Sequence, residues 1–285
     1  MARTDVTEAR VARATAGADA VMRTGVAKFL GDTWAVFTRE ILLVLRDPFT
    51  LIFSLLQPLI FLGLFGPLLT GAVGGFGGGA PGGGGSTAET LQWFVPGVIV
   101  MISLFGTSMS GSNLLYEMMT GSYERVLATP LDRSAILVGR ALKEFAPLVV
   151  QGLLIALVCV PFGFTLYPLH LLVGLALLGL FGIGVGALSI ALALAAKNRE
   201  WLFWGVQQSL LFPLLILSGM MLPLEAGPAW MRTAALFNPL TYIVDAERAL
   251  LAGRFDADVL WGFVAAAVTC AVGLWVGIRR TRRTV

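Results

Sequence analysis

Apolar residues in this chain come in long unbroken runs separated by polar stretches. That spacing fits neither the two-residue alternation of half-buried strands nor the narrow stripe of a soluble helix. Six runs reach the ~20 residues needed to cross ~30 Å of hydrocarbon: residues 48–69, 93–115, 145–164, 169–196, 201–222 and 259–278. Within the first, Pro58 predicts a kink. Along the second, Pro96, Ser103, Thr107 and Ser110 share one face, which suits either a water-filled path or packing against another helix through small polar residues. The fourth carries Gly182 and Gly186 at the spacing that lets two helix backbones approach closely. On the fifth, Gln207 shares a face with Leu211, Leu214 and Ser218. The fold expected is therefore all-α and integral to the membrane.

The polar intervals complete the plan. Residues 1–25 have no apolar period and read as a mobile tail. From Val26 to Arg46, at 100° per residue, Lys28, Asp32, Arg39 and Arg46 fall on one side, with Val26, Leu30, Trp34, Phe37, Ile41 and Val44 opposite. This predicts an amphipathic helix over 26–47 lying in the membrane interface. Gly71 to Ser86 holds ten glycines in sixteen residues and reads as a flexible linker. Tyr116 to Lys143 carries both charge signs and belongs in water, either as a solvated hairpin or as a segment shown to a partner. Between runs five and six, Asp245, Glu247 and Arg248 would cost on the order of 8–10 kcal/mol against lipid at mid-bilayer. Two short helices that dip in and return fit better: Pro228 to Leu236, then one starting at Pro239 with Asn238 as its cap and ending before Gly253.

Composition agrees, with 57% hydrophobic and 13% charged residues, far from the roughly 25% charged of soluble proteins. Lys and Arg number seven before the first run, four between runs two and three, two between four and five and four at the C-terminus. The opposite side has Arg232, Arg248 and Arg254. Both termini and the 116–143 segment are thus expected in the cytoplasm, in a multi-pass protein of the plasma (inner) membrane. Residues 48–278 form the transmembrane domain and 279–285 a basic tail. The net charge of +3 gives no argument for nucleic acid, and no metal-ligand pattern is present. None of the six runs contains Asp, Glu, Lys or Arg, which disfavours an ion-coupled carrier. None of the three lysines, Lys28, Lys143 and Lys197, follows the glycine spacing of a phosphate-binding loop. A nucleophile turn at Gly106-Thr107-Ser108 with His170 as base lacks a third group to orient it. The chain therefore reads as a conduit with no motor and no catalytic residues of its own.

The stretch G-S-Y-E-R-V-L-A-T-P-L-D-R from Gly121, together with N-P-L-T-Y-I-V-D-A-E-R-A-L-L-A-G from Asn238, resembles the membrane subunit of type-2 ABC exporters, most closely the daunorubicin-resistance-type drug-export permeases. The resemblance implies six spans, an interfacial helix and a re-entrant pair. It also implies pairing with a second permease subunit, identical or not, and a separate ABC ATPase that binds ATP and Mg. By position, Glu117, Gly121, Glu124, Arg125 and Pro130 would form the element coupled to the ATPase. Asn238, Pro239, Tyr242, Asp245 and Arg248 would shape the outer gate, although Asp245 and Arg248 at i, i+3 equally suit a simple pair. Ser103, Thr107, Ser110 and Gln207 are candidates to line a path for a hydrophobic or amphipathic small molecule. The alternatives are an ion-coupled carrier or channel, and an exporter of polysaccharide or glycolipid precursors.

Overall fold

The computed structural model describes residues 25–46, 49, 54–56, 58–64, 87–197, 199–220 and 227–283. The expected N-terminal tail up to residue 24, the glycine-rich linker and half of the first span lie outside them; of that span, Ser54–Leu64 contains described helix. The remaining helices are α1 (Val26–Arg46), α2 (Thr87–Ser108), α3 (Ser110–Met119), α4 (Ser122–Leu127), α5 (Arg133–Lys143), α6 (Phe145–Cys159), α7 (Pro168–Ala195), α8 (Glu200–Leu217), α9 (Ala229–Ala235), α10 (Pro239–Leu251) and α11 (Ala257–Arg283). Among the described residues there is no strand, and five stretches are long and apolar enough to cross a membrane: Ala88–Met119, Arg133–Phe162, Pro168–Ala195, Glu200–Leu217 and Ala257–Arg282.

The boundaries differ from the apolar runs in instructive ways. The second span starts at Thr87 rather than Trp93 and continues as helix to Met119, broken at Met109. Thr107 and Ser108 donate their hydroxyls to the carbonyls of Ser103 and Leu104, the back-bonding that bends helices. Ser189 of α7 mends the break by accepting from Gly111 N–H at 3.1 Å and donating to Ser108 O. Gly219, at φ +70°, follows the end of α8, so the fifth span is shorter than its apolar run. The sixth span starts at Ala257 and stays helical through the basic residues to Arg283, where a separate tail was expected.

At the centre stands α7, whose glycines set the spacing of its neighbours. A Cβ on Gly182 would lie 2.8 Å from Thr107 Cγ2, so α2 packs against the predicted close-approach glycine. On the other flank, a Cβ on Gly184 would lie 2.7 Å from the Cys270 backbone, and one on Gly273 would lie 2.2 Å from Gly184 O. Helices α7 and α11 therefore touch backbone to backbone. The apolar core around α7 collects Phe94 and Val98 of α2, Ile155 of α6, Leu177 and Leu178 of α7 itself, and Ile243 of α10.

Helix α1 spans the residues its periodicity predicts, but it packs through a different face. Thr33, Val36 and Glu40, at i, i+3 and i+7, are buried, while Leu30 and Trp34 remain 60% and 67% exposed. Val36 sits on Gly139 of α5, where a Cβ would come within 2.8 Å of Val36 Cβ and 2.9 Å of Thr33 O. Of the apolar face read from the sequence, Val26, Leu30 and Trp34 stay exposed while Phe37, Ile41 and Val44 are half-buried, and the Thr33, Val36 and Glu40 stripe holds the helix to the protein.

Candidate coupling face and membrane cavities

Helix α4 is short and fixed at both ends. Gly121 enters it at φ +69°, a left-handed turn that a side chain would strain, and Thr129 and Pro130 follow its end. Tyr123 and Val126 turn inward, while Glu124 and Arg125 point to solvent. The exposed pair is thus offered by a helix whose other face is anchored. Burial raises the Tyr123 phenol above its ordinary range against the opposing influence of Arg140, and Arg140 Cζ lies 5.9 Å from that ring.

Behind α4 runs a ladder of charges. Arg140 of α5 donates to Glu117 of α3 at 2.5 Å and lies 3.7 Å from Glu40 of α1. Lys143 reaches Glu40 at 3.3 Å and Glu144 at 4.0 Å, and Glu144 accepts the hydroxyl of Ser110. Arg140 and Glu40 are buried, so each charge depends on the others for compensation. Asp132 caps α5 by accepting from Ser134 and Ala135 N–H, and its own N–H donates to Asp32 of α1 at 3.0 Å. Helices α1, α3, α4 and α5 therefore form one braced unit beneath the exposed pair.

One cavity adjoins this unit and a second lies among the spans. The inner one, about 510 Å³, is lined by Ser103 and Thr107 of α2, Lys143 and Glu144 below, and Gln151 and Leu148 of α6. The second, about 300 Å³, lies among α2, α7 and α8 and contains Gln207, Ser108, Leu211 and Asn238. Gln207 is buried, and neither its Oε1 nor its Nε2 has a partner.

At the other end of the spans, Asn238 caps α10 by accepting from Leu240 N–H at 3.0 Å and donates to Leu214 O of α8 at 2.7 Å. Tyr242 donates to Leu236 O. Arg248 donates to Gly219 O at 2.9 Å, lies 3.8 Å from Asp245, and stacks over Trp93 at 4.1 Å. The segment is thereby tied to both α8 and α2.

The profile of the ABC-2 type transporter family matches residues 31–252. The chain belongs to that family. Among ABC-2 relatives, the ycf38 protein of Cyanophora paradoxa is 32% identical over 226 residues, 78% of this chain and 74% of that one. The daunorubicin resistance ABC transporter permease protein DrrB1 of Streptomyces coeruleorubidus is 28% identical over 240 residues, 84% and 80% of the two chains. Nodulation protein J of Rhizobium leguminosarum bv. trifolii is 25% identical over 212 residues, 74% and 77%. The protein is a membrane-spanning ABC-2 permease.

In this ABC-2 permease the site residues read from sequence separate into groups. Gly121, Glu124, Arg125 and Pro130 lie together on the α4 face, whereas Glu117 is engaged internally by Arg140. Asn238, Pro239, Tyr242, Asp245 and Arg248 share α10 and its start, and the Asp245–Arg248 pair is present. Of the proposed lining set, Ser103 and Thr107 border the inner cavity and Gln207 the second, while Ser110 holds Glu144. His170 stacks on Phe255 at 4.3 Å and meets the edge of Tyr167, and Ser108 is engaged with Leu104 O and Ser189, so no hydrolytic pair is assembled. Sequence reasoning missed Arg140, Glu40 and Glu144 as partners. It also missed Glu247, which is buried in α10 against Gly174, with Oε1 unpartnered. The i, i+3, i+7 set of Thr33, Val36 and Glu40 was the available signal for the first group.

Proposed function

We propose that the chain is the permease subunit of an ATP-driven exporter that carries a hydrophobic or amphipathic compound across the plasma membrane. It works beside a second permease copy or homologue. A separate ABC ATPase, binding ATP and Mg, docks on the exposed Glu124–Arg125 face, with both termini on that cytoplasmic side. Helix α1 lies in the interface with Leu30 and Trp34 toward lipid, and α9 and α10 form a re-entrant outer gate. The observation that carries this reading is the α4 face itself: two opposite charges held outward on a helix braced by a buried ion network, which suits a soluble surface of mixed charge. The second cavity supports the choice of cargo, because one unpartnered amide in apolar walls suits a greasy molecule with few polar groups.

The test is reversal of charge at Glu124 or Arg125 with the ATPase co-expressed. ATP-dependent export should be lost while the thermal midpoint of the purified permease stays unchanged; full export by both variants would overturn the docking assignment. Glu247 gives an ion-coupled carrier a specific observation, a buried acid with Oε1 unpartnered and no counter-ion among the described residues. Cargo movement by the chain alone in liposomes, driven by a pH gradient without ATP, would select that second reading.

A further inference from the structure

Helix α10 is clamped from two sides by glycines. On one, a Cβ on Gly262 of α11 would lie 2.3 Å from Ala246 Cβ and 3.1 Å from Tyr242 O. On the other, a Cβ on Gly174 of α7 would lie 2.6 Å and 3.0 Å from the two carboxyl oxygens of Glu247. The carboxyl therefore rests against the α7 backbone, in the space left by an absent side chain. It is buried with its residue 1% exposed, and Oε1 has no hydrogen-bond partner. Asn238 and Gln92 hold the two ends of the helix through Leu214 O and Leu251 O. Rotating α10 to bring Glu247 into water would break both glycine contacts.

No cation compensates this carboxyl among the described residues. On α10 itself, Arg248 pairs with Asp245 and is committed to Gly219 O and the Trp93 ring. Helix α7 carries His170 one turn before Gly174, with its ring against Phe255 and Tyr167. At their ends nearest α10, α11 and α2 bring the acids Asp258 and Glu89. The last turn of α8, which bonds to Asn238 and Thr241, has no ionisable side chain. In the loop that follows α10, Arg254 pairs with Asp256. A carboxylate deprived of both water and a counter-ion takes up a proton rather than stay charged. Burial pushes the Glu247 carboxyl up to about 8.

We infer that Glu247 is a proton-binding site: as the neutral acid it lets α10 lie in its glycine seat, and loss of the proton on alkalinisation lifts α10 from α7. The sign follows from burial. The neutral form belongs to the seated helix and the charged form to a hydrated one, so seating is present at low pH and lost as the pH rises through the titration. This deepens the export reading by naming a control on its outer gate, and it rests on that reading for the role in transport. The proton is held there, not carried across.

The first measurement is the infrared spectrum of the full chain in dodecyl maltoside, a detergent without a carbonyl. At about pH 7, where solvated glutamates have lost their proton, wild type should show the carbonyl stretch of a neutral carboxyl that Glu247→Gln lacks. Raising the pH to about 9 should diminish it. The second is deuterium uptake by residues 239–252, followed by mass spectrometry. Wild type and Glu247→Gln should exchange alike at about pH 6, and wild type at least about fivefold faster at about pH 9; comparison at one pH cancels the intrinsic base catalysis. No neutral-carboxyl band, a band that persists in Glu247→Gln, or equal uptake at both pH values would each overturn the assignment. If Glu247→Gln fails to fold, Glu247→Leu takes its place in both measurements. In proteoliposomes with the ATPase and ATP, wild-type export should fall over the same pH range and Glu247→Gln export should not; a parallel fall in both would overturn the control of the gate. The infrared and exchange measurements need no ATPase. Their failure with ATP-driven export intact refutes the proton site alone, and their success in a chain that exports nothing refutes the export reading alone.

Discussion

Arg140→Ala removes the cation shared by Glu117 and Glu40. In the native protein the Arg140 and Glu40 side chains are 7% and 5% exposed, and that of Glu117 is 26%. Deleting one partner of a buried pair costs about 3–5 kcal/mol, because the remaining charge stays in a low-dielectric site. Glu117 keeps enough contact with water to rehydrate and Glu40 keeps Lys143 at 3.3 Å, so the lower end of that range applies, about 3 kcal/mol. At about 2–4 °C per kcal/mol, the scale for soluble chains of 150–250 residues, the thermal midpoint should fall by roughly 6–12 °C. The assay is the intrinsic tryptophan fluorescence melt of purified protein in detergent. Glu40→Gln added to Arg140→Ala should recover part of the loss, since it removes a buried carboxylate left with Lys143 alone, and the cycle should show an interaction of about 1–3 kcal/mol. Arg140→Lys should restore little, because a point charge cannot span both carboxylates as a guanidinium does. An Arg140→Ala midpoint equal to wild type, or a cycle with no interaction, would refute the ladder as a structural unit.

Other consequences are equally direct. Gly139→Val should loosen α1, because even a Cβ meets Val36 Cβ and the Thr33 carbonyl under 3 Å; limited proteolysis near Gly25 should quicken while the spans stay protected. Gly184→Ala places a methyl against the Cys270 backbone, which cannot move aside as a side chain would, and should lower the melting midpoint by an amount worth about 1–3 kcal/mol. Glu247→Leu replaces a buried acid that has no counter-ion among the described residues with an apolar chain of similar size and should raise the midpoint. A fall instead would mean that the carboxyl holds a partner in the membrane.

Hydrophobic run length was enough to find the long helices among the described residues, and local capping chemistry was enough to place α9 and α10, because Asn238, Pro239 and Gly253 act on their own neighbours in the chain. Run length was a poorer guide to where helices stop. Thr87 to Gln92 and Tyr116 to Met119 are helical although they lie outside the unbroken apolar run, each with a glutamate in its midst. The exposed face of α4 was legible because Glu124 and Arg125 sit in a short motif between Gly121 and Pro130. The ladder behind it was not, since Glu40, Glu117 and Arg140 come from three helices and meet only on folding. Gln92 shows the same limit, for it joins Thr165 to the Leu251 carbonyl across most of the sequence.

The glycine contact between α7 and α11 has a mechanical consequence. With the Gly184 and Gly273 backbones in touch, neither helix can slide or roll past the other without separating first, so the two behave as a keel. Helix α8, by contrast, turns Trp201, Leu210, Phe212 and Ile216 outward, and its bonds to the rest converge near its last turn, at Leu214, Leu217 and Gly219. A rocking stroke would therefore pivot there, and the far end of α8 would swing only by drawing Phe203 out of its buried seat beside Gly111 while the keel holds still.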